Sequence, residues 1–124
     1  MSVRISPEKM ATYRATARRS WAKERGRLEL RHRRACAVAC QAADLLRREY
    51  GAVRVVLFGS LVRSELFHIR SDIDLAVWGL DKKLHYRAIA QLLALDPAFE
   101  VDLVMGEEIP ASLLAVVEKE GRAL

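Results

Sequence analysis

Three aspartates stand where strand-like sequence would present them side by side. In Ser71-Asp72-Ile73-Asp74-Leu75 two carboxylates lie two residues apart. In a strand they share one face while Ile73 faces the core. Anions that close repel each other unless a positive charge sits between them. A hard divalent cation such as Mg²⁺, which takes carboxylate and phosphate oxygens, is the natural occupant. Asp102 lies in a second alternating run, Phe99-Glu100-Val101-Asp102-Leu103-Val104, and completes a three-carboxylate cluster if its strand neighbours the first. Such a cluster can hold one or two Mg²⁺, orient a nucleoside triphosphate and activate a hydroxyl for in-line attack on phosphorus. Glu100 shares a face with Asp102 and is the alternative third acid. The competing reading of these acids is a row of solvated surface charges.

Phe58-Gly59-Ser60 adds a glycine and a hydroxyl directly after the short apolar run Val53–Phe58. Free backbone N–H groups at a turn of that kind, with a hydroxyl beside them, can bind phosphate oxygens; the plainer alternative is a simple turn. His68 reads as a surface residue, and Arg70 as a phosphate contact or a solvated loop charge. His32, Cys36 and Cys40 recur every fourth residue, but on one helix they span about 12 Å, too far for one ion to be held by all three. Small cysteines buried against the sheet are the better reading.

The elements that must position these groups can be read from periodicity. From Ser6 to Tyr50 almost every residue favours helix, with Ser6 as N-cap, Pro7 at the first helical position and Glu8 in the first turn. Met10, Tyr13, Ala17 and Trp21 form one amphipathic stripe. A second follows through Leu28, Ala35, Val38/Ala39, Ala42 and Leu45/Leu46, with Gly26 between them as a point where the helix breaks or weakens. Gly51 is placed to terminate it. A buried strand follows up to Phe58, a second with period two runs through Ile73, Leu75 and Val77, and residues 82–95 read as helix, stopped by Asp96-Pro97. A third strand covers Phe99 to Val104 and a short helix residues 111–120. The expectation is an α/β (α+β) domain with a three-stranded mixed sheet flanked by helices and a long N-terminal helical extension. A basic helical extension is assigned to residues 1–50 and the chemistry to 51–124.

Gly59-Ser60, eleven intervening residues, Asp72-x-Asp74 and a later strand aspartate resemble the signature of the polymerase-β-type nucleotidyltransferase superfamily. Size and the wording Ser71-Asp72-Ile73-Asp74-Leu75 make the chain most similar to its minimal members, many of them antitoxins of HEPN-domain ribonuclease toxins. The resemblance covers about residues 52–105. It implies that Gly59 and Ser60 bind the triphosphate of ATP, with Arg63 reaching a phosphate. It also implies that Asp72, Asp74 and Asp102 hold Mg²⁺, Asp102 serving as a general base as well. The implied activity is transfer of AMP to a tyrosine hydroxyl of the partner toxin, in a hetero-oligomer with it. Ser64 stands where the family carries glycine, and strain is expected there if the turn requires a positive φ.

Charge and composition set the remaining bounds. The chain has 124 residues, enough for one domain with an appended element. No run of about 18 uncharged apolar residues occurs, which excludes a spanning helix. The start Met1-Ser2-Val3-Arg4-Ile5-Ser6-Pro7-Glu8 shows no apolar leader core, and two cysteines make no disulfide framework, so a reducing cytoplasm is expected. Residues 1–50 carry 13 Lys/Arg against 5 Asp/Glu, and residues 51–124 carry 8 against 11. A basic, amphipathic first part suits a protein partner, with nucleic acid second and a membrane surface disfavoured by its Ala-rich stripe. Two further functions stay open: an antitoxin that acts by binding alone, and a small-molecule nucleotidyltransferase.

Overall fold

The computed structural model describes residues 5–124; the remainder of the predicted leader-free start, Met1–Arg4, lies outside the described residues. Helix α1 runs without interruption from Pro7 to Tyr50. Ser6 caps it by accepting a hydrogen bond from the Lys9 N–H, and Gly51 closes it in a left-handed conformation at φ 66°. Gly26 does not break it: a single glycine weakens a helix by about 1 kcal/mol, and the flanking residues are good helix formers.

Four strands build the sheet, in the order β3-β2-β1-β4. They are β1 (Arg54–Phe58), β2 (Ile73–Trp78), β3 (Val101–Met105) and β4 (Arg122–Ala123). β1 is antiparallel to β2 and β4, whereas β2 and β3 are parallel, joined through α2 (His85–Leu93). The fourth strand goes beyond the three expected. Its two residues are too short to carry a periodic pattern, and it follows α3 (Ala111–Glu120) directly.

Alternation sorts the sheet into two faces. Val55, Leu57, Ile73, Leu75, Val77, Leu103 and Met105 point toward α1 and α2 and form the main core with Ala35, Val38, Ala39, Ala42, Leu46, Ala88 and Leu92. The last third of α1 is therefore a wall of that core, and its small alanines let the helix lie close to the strands. The opposite face packs Val56, Phe58 and Ala76 against Val117 of α3. The cysteines differ from expectation: Cys36 is half-buried and Cys40 exposed. Each four-residue step advances about 40° around a helix, so the row His32, Cys36, Cys40 slides off the buried face. Among the described residues no helix is long and apolar enough to cross a membrane.

Candidate functional site

The parallel pairing of β2 with β3 sets Asp74 directly opposite Asp102, and the antiparallel pairing of β1 sets Phe58 opposite Asp74. Asp74 and Asp102 thus share the α3 face of the sheet, at the end where β1 delivers Gly59. Asp72 immediately precedes β2 and is exposed, as is Asp102, while Asp74 is half-buried. The approach of Gly59 is close. A Cβ there would lie 2.3 Å from Asp74 Oδ2, and its φ of +79° is one that only glycine adopts without strain. Gly59 is therefore the residue that lets the turn Gly59–Leu61 begin against the carboxylate.

Electrostatics marks the same place. Burial, then the charge of Asp102, then that of Asp72 push the Asp74 carboxyl up to about 6. None of the ion pairs among the described residues involves Asp72, Asp74 or Asp102. Three acids held this way fit a divalent cation by donor chemistry: oxygen ligands, excess negative charge and no competing protein cation. No group of three acidic, histidine or cysteine side chains among the described residues is arranged to hold a metal ion by itself. A full cage suits a structural ion, whereas Mg²⁺ keeps several waters and takes one or two carboxylates together with substrate phosphates.

The surrounding loops are pinned from the helices. His32 on α1 bonds through Nε2 to the Leu61 carbonyl at 2.9 Å and stands edge-on to Phe67, with ring centroids 4.9 Å apart. A carbonyl only accepts, so Nε2 carries the proton, which leaves Nδ1 facing the Cys36 thiol at 3.8 Å. His85 makes the matching bond to the Leu103 carbonyl at 2.8 Å and so holds β3 beside Asp102. Ser71 is the one buried polar residue among those described. Its hydroxyl accepts from the His68 N–H at 2.9 Å and its own N–H donates to the His68 carbonyl, a closed turn that delivers Asp72. His32, His85 and Ser71 were not singled out as positioning groups in the sequence. Each acts on a backbone group distant in the chain or local to a turn, which no spacing rule encodes.

Two residues of the loop after the glycine turn have defined surroundings. Arg63 is paired with two glutamates, Nε donating to Glu65 Oε1 at 3.1 Å and Nη1 to Glu120 Oε1 at 3.4 Å. Ser64 starts a second short turn, Ser64–Leu66, and no non-glycine residue among those described has a positive φ. The glycine position is thus occupied by serine without backbone strain. Glu100 is exposed, and its carbonyl accepts from the Ile73 N–H at 3.0 Å.

Comparison with known proteins bears on this arrangement. A search of curated proteins found no significant match. Among solved structures, the chain is similar to a minimal nucleotidyltransferase at 33% identity and TM-score 0.57, over 78% of this chain and 95% of that one. It is similar at 26% identity and TM-score 0.57 to a chain of a toxin–antitoxin complex with AMP-PNP, over 67% of this chain and 69% of that one. A complex of a tri-AMPylated Shewanella oneidensis HEPN toxin with its MNT antitoxin, at 24% identity and TM-score 0.56 over 72% and 70% of the two chains, shares the fold. Residues 41–124 match the family described as polymerase beta, nucleotidyltransferase, a span that holds the glycine turn, all three aspartates and the whole sheet. The chain belongs to the polymerase-β nucleotidyltransferase family.

Proposed function

We propose that this chain is an antitoxin nucleotidyltransferase of the cytoplasm, which transfers AMP from ATP to a hydroxyl, a tyrosine's, on a partner HEPN ribonuclease toxin and so neutralises it. Residues 51–124 carry the chemistry and the extension within 1–50 is anchored by its last third. The observation that carries the reading is the register of Asp74 with Asp102 beside Gly59. It gathers negative charge with no protein cation at the point where a phosphate-binding turn begins. The similarity to a toxin–antitoxin chain with AMP-PNP supports ATP as the donor.

In this reading Asp72, Asp74 and Asp102 hold Mg²⁺. When bound, that ion neutralises the charge of the triphosphate and of the reaction's transition state. Gly59 and Ser60 seat the triphosphate, with the close backbone approach that a side chain at 59 would block. Asp102, exposed and at the rim, accepts the proton of the incoming hydroxyl as its oxygen bonds to the α-phosphorus. The bond from that phosphorus to the bridging oxygen breaks, and pyrophosphate leaves with its electron pair. Arg63 swings from two exposed carboxylates onto a phosphate, an exchange that costs little because exposed ion pairs are weak.

The test is incubation of the chain with labelled ATP, Mg²⁺ and a candidate HEPN-domain partner, sought as the product of the adjacent gene. Label on that protein, lost in Asp72→Asn and Asp74→Asn, is the expected outcome. Full neutralisation of the toxin by those same variants would replace the reading with an antitoxin that acts by binding alone. Label found on a small molecule and never on protein would move it to small-molecule transfer.

A further inference from the structure

The apolar stripe of α1 is one continuous seam, and this chain covers only part of it. Met10, Tyr13, Ala17, Trp21, Leu28, Ala35, Ala39, Ala42 and Leu46 follow one another at helical spacing. From Ala35 to Leu46 the seam is buried against the sheet, and Leu28 is half-buried beside Phe67. Farther toward the N-terminus nothing among the described residues covers it. Tyr13 is 60% and Trp21 63% exposed, although both continue the face that the fold buries lower down. The uncovered part runs from Pro7 to about Lys23, roughly 26 Å of helix.

Charge identifies what can lie on it. Arg14, Arg18 and Arg25 fall within about 40° of one another on one flank of the seam, and Lys9 and Arg27 border the other. None of these takes part in an ion pair among the described residues. A cleft of about 380 Å³ between Arg14, Ala17, Arg18 and Trp21 joins the apolar face to its cationic rim. This part of α1 also precedes residues 41–124, which match the family. The similar minimal nucleotidyltransferase, aligned over 95% of its own length, covers 78% of this chain.

We infer that the N-terminal half of α1 is the docking element for the acceptor protein, and that the partner offers an apolar groove bordered by carboxylates. The inference rests on the proposed function and adds the place and chemistry of recognition. A second copy is a poor occupant, because pairing two such seams brings their arginine flanks together. Nucleic acid would use the cations but has no need of an apolar seam collinear with the one the fold buries. A carboxylate-bordered groove answers both features: aromatic anchors give affinity and the arginine rim accelerates encounter.

The experiment measures binding of the full chain to the same HEPN-domain protein by surface plasmon resonance across salt concentrations. AMP-PNP affinity and helicity are measured in parallel. Tyr13→Ala/Trp21→Ala is expected to weaken association at least about tenfold, the loss typical of central aromatic anchors, with AMP-PNP affinity and helicity unchanged. Arg14→Glu/Arg18→Glu/Arg25→Glu is expected to slow association and flatten its salt dependence. Wild-type association by both variants overturns the inference while leaving the enzymatic reading intact. Two other results overturn it as well: loss of a self-dimer in the aromatic variant without loss of HEPN binding, and tight binding of a single-stranded 20-nucleotide RNA abolished by the arginine changes alone. Association without any transfer of label overturns the enzymatic reading and spares the docking element. No association of the wild-type chain overturns both.

Discussion

Asp74→Asn should make the nucleotide-free protein more stable at neutral pH, and the gain should vanish in acid. The folded chain keeps the Asp74 proton up to about pH 6, because burial and the charges of Asp102 and Asp72 oppose its loss. The unfolded chain releases it near the ordinary 3.8. Between those two values the folded state binds more protons than the unfolded one, so its stability falls as pH rises through the window. A displacement of about two pH units is worth about 3 kcal/mol at most. Asp74 is only half-buried and water screens it, so the expected penalty is on the order of 1–2 kcal/mol.

Asparagine keeps the size and the acceptor oxygen and removes the charge. Thermal unfolding of both proteins, without nucleotide or divalent cation, should therefore give similar midpoints at pH 4. By pH 7.5 the variant should lead by about 4–8 °C, the equivalent of that penalty for a domain of this size. Taking the difference between the two proteins removes the contributions of the groups common to both. Adding Mg²⁺ with AMP-PNP should reverse the order, since the ligand stabilises only the protein whose carboxylate can hold the cation. A variant no more stable than wild type at pH 7.5 would refute the reasoning, because it would mean that neither burial nor the neighbouring carboxylates oppose ionisation of Asp74.

The remaining predictions test individual supports of the site. Gly59→Ala should abolish AMP-PNP binding by calorimetry and cost about 1–2 kcal/mol in a urea titration, since it combines a left-handed φ with a Cβ 2.3 Å from Asp74 Oδ2. His32→Ala should leave the Leu61 carbonyl without its partner, costing about 1–3 kcal/mol; the freed turn should raise KM for ATP more than it lowers kcat in the labelling assay. Arg63→Ala should barely move the melting temperature but raise KM for ATP, because its two carboxylate partners are exposed. Gly106→Ala should destabilise by about 1–3 kcal/mol in denaturant titration without affecting nucleotide binding, because a Cβ there would meet the Trp78 ring at 2.0 Å.

What the sequence made legible, and what it hid, follows from the range over which each interaction acts. The apolar alternation around Ile73 and Leu75 and around Val101 and Leu103 is set by burial of one sheet face, so it is written along each strand and locates Asp74 and Asp102 in it. That the two acids meet depends on which strands are neighbours, and alternation says nothing of that. The parallel pairing that puts Asp74 opposite Asp102 comes from the crossover through α2, and only the helical run at 82–95 hinted at it. The loop pins are less visible still. His32 reaches a carbonyl 29 residues away, so its neighbours in sequence suggested a row with two cysteines, whereas its true partners are Leu61 and Phe67. Arg63 was readable as a cation near the glycine turn, but of the two acids that hold it only Glu65 is near in sequence; Glu120 is brought to it by the end of α3. The seam of α1 shows the opposite limit. Its periodicity is the same over the buried half and the bare half, because a helix encodes the need for a cover and not the identity of the chain that supplies it. Where a fold leaves such a seam uncovered and rims it with unpaired arginines, the pattern is information about a second molecule.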